Sequence, residues 1–169
     1  SYKIYEKKYR DIGFDEESVK KLSMVDLEKE IADSVQTFNY QISTLFTLNG
    51  QAPFCSLFMY LKDAEGYEQE FILLAKEFLK QRIEGMPNED GIKVTQAFPK
   101  ILYVLEDDNY KPGTKYWSLT KLAIRCSANR LTPDYISEKK MKELKQGDCY
   151  ACMGCRSFLT PDITNNGYN

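Results

Sequence analysis

Two short stretches of this sequence are almost uninterruptedly apolar, and each leads into a helical pattern, which narrows the possible folds more than any other feature. The first is Phe54-Cys55-Ser56-Leu57-Phe58-Met59-Tyr60-Leu61 and the second is Ile101-Leu102-Tyr103-Val104-Leu105. A strand with one wet face alternates apolar and polar residues, whereas a strand covered on both faces does not. Both stretches therefore read as buried strands, the first of them parallel. Between them Tyr67, Phe71, Leu74, Phe78 and the neighbouring Leu79 mark one side of a helix, with Asp63 offered as its N-cap and Gly85 and Pro87 at its end. Asn88 to Gln96 is polar and reads as a loop. After the second strand the acidic turn Glu106-Asp107-Asp108-Asn109 reads as a solvated loop, with metal binding its lesser use. A further helix follows, with Thr114 as cap and Trp117, Leu122, Ile124 and Cys126 as its apolar groups, ended by Thr132 because Pro133 comes next. Strand, helix, strand, helix is the order of βαβ units, so the class is α/β with a parallel sheet and its working residues at strand ends.

Upstream, Leu27, Ile31, Val35, Phe38, Ile42 and Leu45 recur at intervals of three and four, with Glu28, Lys29 and Asp33 off the stripe, and predict a long helix broken by Asn49-Gly50. The chain has 169 residues, 43% hydrophobic and 28% charged, in keeping with one globular domain or a large piece of one. Its formal charge of -2 leaves no basic field for a nucleic-acid polymer or an anionic membrane, and no apolar run approaches a bilayer span. A soluble, cytoplasmic protein is expected. Ser1 stands where an initiator Met would, and Asn165-Asn166-Gly167-Tyr168-Asn169 reads as an exposed loop, so a piece of something larger is expected.

There is no histidine, which excludes Ser-His and Cys-His nucleophile pairs within the chain. Three of the five cysteines, Cys149, Cys152 and Cys155, stand at successive three-residue intervals in Gly147-Asp148-Cys149-Tyr150-Ala151-Cys152-Met153-Gly154-Cys155-Arg156-Ser157. An odd count with this crowding is not a secreted disulfide pattern. A metal or iron-sulfur site would need a fourth ligand, leaving only Cys55 or Cys126. A dithiol site on Cys152 and Cys155 has the spacing but not the strand-to-helix setting of thioredoxin-type pairs. Cysteines without a chemical task are a third reading, since free Cys packs as a small hydrophobe. Cys55 is expected to pack within its strand and Cys126 within a helical core face.

Cys152-Met153-Gly154-Cys155-Arg156-Ser157-Phe158-Leu159 resembles the cysteine finger-loop motif, with its Met-Gly-Cys-Arg core, of the anaerobic (class III, glycyl-radical) ribonucleoside-triphosphate reductase family. Asn49-Gly50-Gln51-Ala52-Pro53-Phe54 is similar to that family's lead into a barrel strand, and Phe98-Pro99-Lys100-Ile101-Leu102-Tyr103-Val104-Leu105 to the next strand. Thr132-Pro133-Asp134-Tyr135-Ile136-Ser137 also fits, in the same order, and the resemblance runs from about Leu45 to Leu159.

The resemblance implies about half of a ten-stranded α/β barrel with a C-terminal cysteine finger loop. The chain then divides as a single partial domain, 1–169, with a mainly helical lead-in at 1–47, a βαβα barrel half at 48–144 and the finger loop and exposed end at 145–169. It implies that Cys155 is the thiyl site of an oxidoreductase, an ATP-binding enzyme of DNA-precursor synthesis that converts ribonucleoside triphosphates to deoxyribonucleoside triphosphates. Cys152 is a possible redox relay. Gly154 lets the loop bend close to a nucleotide. Arg156 pairs with a phosphate or holds the loop, and Asn49 and Gln51 are candidates for substrate binding or loop positioning, though an Asn-Gly turn accounts for them as well. No metal is assigned to the chain. The glycyl radical would come from a segment absent here, the reductant would be formate or a dithiol protein, and the isolated chain would not turn over. Expected partners of the parent enzyme are the substrate, a radical-generating activase, the remainder of the barrel and a second subunit in a homodimer. Half a barrel exposes a sheet edge, so the isolated chain is expected to self-associate or to leave its finger loop disordered.

Overall fold

The computed structural model describes residues 2–46, 48, 50–52, 54–145 and 147–152, with the backbone alone at 161–162 and 167–168. Two helices come first, α1 (Tyr2–Ile12) and α2 (Glu16–Thr44). Asp15 caps α2 by accepting from the backbone N–H of Glu17 and Ser18, while Glu16 and Glu17 suit the positive end of the helix dipole. Leu45, expected as the end of the α2 stripe, lies past the helix and is exposed. Then follow β1 (Ser56–Met59), a 3₁₀ turn (Leu61–Ala64), α3 (Glu68–Glu84), β2 (Met86–Pro87), β3 (Lys93–Val94), β4 (Lys100–Leu105), α4 (Trp117–Arg130), β5 (Asp134–Ser137) and α5 (Glu138–Leu144). The last elements are β6 (Pro161–Asp162) and β7 (Gly167–Tyr168), whose backbones pair antiparallel.

The main sheet has three strands in the order β1-β4-β5, parallel throughout. Ser56 pairs with Lys100 and Met59 with Tyr103, while Leu102 pairs with Asp134 and Leu105 with Ser137. The α/β class and parallel sheet expected from the alternating pattern are present. In β4, which is central, every residue from Ile101 to Val104 is buried. Its side chains alternate between two cores, as a strand's period of two requires. Ile101 and Tyr103 join Met59, Leu61 and the buried faces of α3 and α4, including Leu79, Leu119, Ala123 and Cys126. Leu102 and Val104 turn the other way, toward Tyr60, Ile136, Cys149 and Cys152. Both crossover helices thus lie on one side of the sheet.

Several local expectations are corrected. Among the described strands β1 lies at an edge of the sheet, and only Met59 within it is buried. Cys55 precedes β1 and is partly exposed, while Cys126 is buried as expected of a core residue. Asp63 lies inside the 3₁₀ turn, so α3 starts later, after Tyr67, and without a side-chain cap. Thr114 donates to the carbonyl of Lys111 instead of capping, and Tyr116 precedes α4. On α4 Ile124 is exposed, and the buried face is Leu119, Thr120, Ala123 and Cys126. The polar stretch Asn88 to Gln96 supplies the turn and second strand of the β2–β3 hairpin, and Asp134–Ser137 forms a third strand where sequence patterning marks none.

Two arginines tie down the chain on either side of the hairpin. Buried Arg82 donates to the carbonyls of Gln96 and Pro99, and Arg130 to those of Ile83 and Glu84. Gly85, with φ +75°, lies under this crossing, and a Cβ there would meet Arg130 Nη2 at 2.7 Å and the Val94 carbonyl at 2.8 Å. Gly113 has a similar φ of +89° with nothing within 4 Å of an added Cβ. Gly113→Ala is therefore expected to cost about 1 kcal/mol of stability from backbone strain alone. Gly85→Ala should cost at least about 1 kcal/mol more, from the same strain plus overpacking, in urea unfolding of the chain.

Candidate functional site at the carboxyl edge of the sheet

Three consecutive parallel strands end side by side, and the residue following each is polar: Tyr60 after β1, Glu106 one past Leu105 of β4, and Glu138 one past Ser137 of β5. All three are buried. In parallel sheets this is the edge where ligands are usually handled, because strand carboxyl ends and the loops after them converge there.

Buried carboxylates persist only when donors compensate for the water they lose. Glu138 Oε1 accepts from Tyr60 Oη at 2.8 Å and Lys62 Nζ at 2.6 Å, and Lys142 Nζ lies 2.9 Å from the same oxygen. Burial acts to raise the Glu138 pKa, but these three donors outweigh it and hold the carboxyl below its ordinary value. Glu106 has backbone partners instead. Its Oε1 accepts from the N–H of Leu61 at 2.9 Å, tying the end of β4 to the turn after β1. Asn109 completes the corner, accepting from the Glu106 N–H at 2.9 Å and donating to the Val104 carbonyl at 3.0 Å. Burial, reinforced by the Glu138 charge, pushes the Glu106 pKa up to about 7 against the pull of the Lys62 and Leu61 N–H groups. The acidic turn is thus not a simple solvated loop: its first and last members, Glu106 and Asn109, are buried structural groups.

Cys149 and Cys152 lie against this edge, both buried in the core formed by Tyr60, Leu102, Val104 and Ile136. Burial, followed by the charges of Glu138 and Glu106, raises the Cys149 pKa to about 11 and keeps its thiol protonated. Among the described residues, no group of three or more His, Cys, Asp or Glu side chains could hold a metal ion. No described helix is long and apolar enough to cross a membrane.

Residues 7–169 match the family model of the anaerobic ribonucleoside-triphosphate reductase. The chain belongs to that family. It is similar to the anaerobic ribonucleoside-triphosphate reductase of Enterobacteria phage T4, at 35% identity over 144 residues, covering 82% of this chain and 22% of the relative. Its likeness to the enzyme of the same name from Escherichia coli is 32% over 140 residues, covering 82% of this chain and 18% of that protein. For the Salmonella typhimurium enzyme it is 33% over 141 residues, covering 83% and 19%. The chain therefore spans about a fifth of the length of these curated relatives.

Of the residues singled out from the family motif, Cys152 is placed in the core beside the sheet. Gln51 is exposed and precedes β1, whereas Tyr60, Glu106 and Glu138 follow strand ends, so the structure does not gather them into one site. Asn49, Gly154, Cys155 and Arg156 lie outside the described residues. Sequence reasoning does not single out Tyr60, Lys62, Glu138 or Lys142. An acidic residue directly after an apolar run, which in a parallel sheet falls on the carboxyl edge, marks Glu106 but none of these four.

Glu106 also predicts a pH dependence. A carboxyl whose pKa rises on folding from 4.5 to about 7 holds its proton more tightly in the folded state. The stability this contributes is complete below pH 4.5 and is lost as pH climbs through about 7. Glu106→Gln keeps the acceptor for Leu61 but cannot ionise. Urea midpoints should therefore show the wild-type chain losing about 2–3 kcal/mol relative to Glu106→Gln across that window, whereas parallel curves would mean that Glu106 does not titrate there.

Proposed function

We propose that this chain is part of the catalytic barrel of an anaerobic ribonucleoside-triphosphate reductase and that Cys155 is its thiyl site. The observation that carries the reading is the family match through residue 169, which spans the Met153-Gly154-Cys155-Arg156 core of the finger-loop motif. The fold agrees with it. Strands in sequential order with both crossover helices on one side suit a segment of a closed barrel, whereas a doubly wound sheet places helices on both sides. Leu102, Val104 and Ile136 would then face the barrel interior, and Cys149 and Cys152 would pack there on the way to Cys155.

In the proposed reaction a glycyl radical on another segment of the parent enzyme takes the hydrogen of the Cys155 thiol. The thiyl then breaks the 3′ C–H bond of a ribonucleoside triphosphate, re-forming S–H and leaving a carbon radical that activates loss of the 2′-hydroxyl. Formate or a dithiol protein would supply the reducing electrons. Gly154 would let the loop approach the nucleotide, and Arg156 would pair with a phosphate or an acidic neighbour. The parent would act as a homodimer activated by a separate radical-generating protein.

A metal or dithiol site built on the cysteine triplet is the competing reading. Protonated, buried Cys149 weighs against thiolate chemistry at that position. Cys152 remains the candidate relay should a dithiol protein be the reductant.

The decisive measurement uses the full-length enzyme, activated without oxygen. Cys155→Ala is expected to form the glycyl radical in wild-type amount while reducing no ribonucleoside triphosphate, and Cys152→Ser to retain turnover when formate is the reductant. Nucleotide reduction by Cys155→Ala would return the triplet to the metal or dithiol reading.

A further inference from the structure

Among the described residues, three donors converge on one oxygen of Glu138, two from the end of β1 and the turn after it and one from α5. Tyr60 comes from the end of β1, Lys62 from the 3₁₀ turn, and Lys142 from the next turn of α5. The partners from the β1 end are 78 and 76 residues away in sequence, so the carboxylate links the two outer strands of the sheet across β4. Glu106 makes the parallel link from β4 to the same turn through the Leu61 N–H. The ring of Tyr60, whose hydroxyl Glu138 holds, belongs to the core in which Cys149 and Cys152 are buried, and Met141 of α5 packs against that core as well.

We propose that Glu138 is a positioning residue for the cysteine loop: by clamping Tyr60, Lys62 and Lys142 it fixes the floor on which Cys149 and Cys152 sit. It thereby sets where the chain stands three residues before Cys155. The inference rests on the reading of Cys155 as the thiyl site, because only then does the placement of this segment bear on turnover. A hydrogen-atom transfer is sensitive to distance, and a displacement of about 1 Å at a supporting group can cost on the order of a hundredfold in rate. Electrostatics support the geometry. The carboxylate is held ionised by its three donors, and its charge helps keep the Cys149 thiol neutral and therefore compatible with an apolar seat.

The test compares wild type, Glu138→Gln, Glu138→Ala, Tyr60→Phe and Cys155→Ala in the full-length enzyme, activated without oxygen. Four quantities are read: glycyl-radical yield, kcat, KM for the ribonucleoside triphosphate, and the rate at which a maleimide labels Cys149, located by peptide mass. Glu138→Gln is expected to lower kcat by about tenfold, with KM within about twofold and radical yield unchanged, and to speed Cys149 labelling by about tenfold or more. Glu138→Ala should go further in the same direction. Tyr60→Phe, which removes one donor and keeps the ring, should do less than either.

The inference is overturned if Glu138→Gln labels Cys149 at the wild-type rate, whatever happens to kcat, or if kcat falls only in proportion to thermal stability and radical yield, as a general folding defect would produce. Should Glu138→Ala fail to fold, Glu138→Gln and Tyr60→Phe still decide the matter. Cys155→Ala separates the two levels of the argument. If it is inactive while the Glu138 variants match wild type, the positioning role fails and the thiyl reading stands; if it is active, the thiyl reading itself fails.

Discussion

Parallel strands cannot be joined by a tight turn, and β4 has a parallel neighbour on each side, so the chain must leave the sheet and return before each pairing can form. That requirement accounts for most of the architecture. α3 and α4 are the return paths, and both run on the side where Ile101 and Tyr103 point. Because neighbouring residues of a strand face opposite ways, the same β4 that seats the helices presents Leu102 and Val104 to the other side, where Tyr60, Ile136 and two cysteines complete a second core. The hydroxyl of Tyr103 would be unsatisfied among the helices without Thr120, whose Oγ1 lies 2.7 Å away.

The polar groups concentrate where the strands stop. Within the sheet β4 has a ladder partner on each side, but past Leu105 and Ser137 the ladder runs out and side chains take over. Glu106 and Glu138 solve this in different ways. One receives backbone N–H groups and, raised by burial, titrates near pH 7, while the other receives a phenol and two ammonium groups and stays charged. Two carboxyls set close together thus differ in ionisation because their donors differ, and this difference lets both be buried beside an apolar thiol core.

The parallel class was legible because hydrophobic periodicity is local: Phe54–Leu61 and Ile101–Leu105 carry their own signal. The strand Asp134–Ser137 was not, since it has only four residues and one of them, Ile136, is buried. Helix starts were misplaced at Asp63 and Thr114 because a capping side chain in sequence is only an opportunity, and the helices begin after Tyr67 and Tyr116 without one. The thiols announce themselves by spacing. Glu138 does not, since nothing local distinguishes a glutamate that will be buried from one that will face water; its donors Tyr60 and Lys62 are supplied by folding from another part of the chain.

The attachment of the segment between β3 and β4 differs in kind from those of α1. Lys8 reaches Asp26, and Arg10 reaches Glu16, through pairs that water and dissolved ions can enter. Arg82 is 3% exposed, and its acceptors are the carbonyl dipoles of Gln96 and Pro99 rather than carboxylates. Mobile ions weaken attraction between exposed charges but have little access to a guanidinium sealed among peptide groups. Rising ionic strength therefore acts unevenly on this molecule, loosening the hold of α1 on α2 while leaving the approach to β4 as firmly anchored as in dilute buffer.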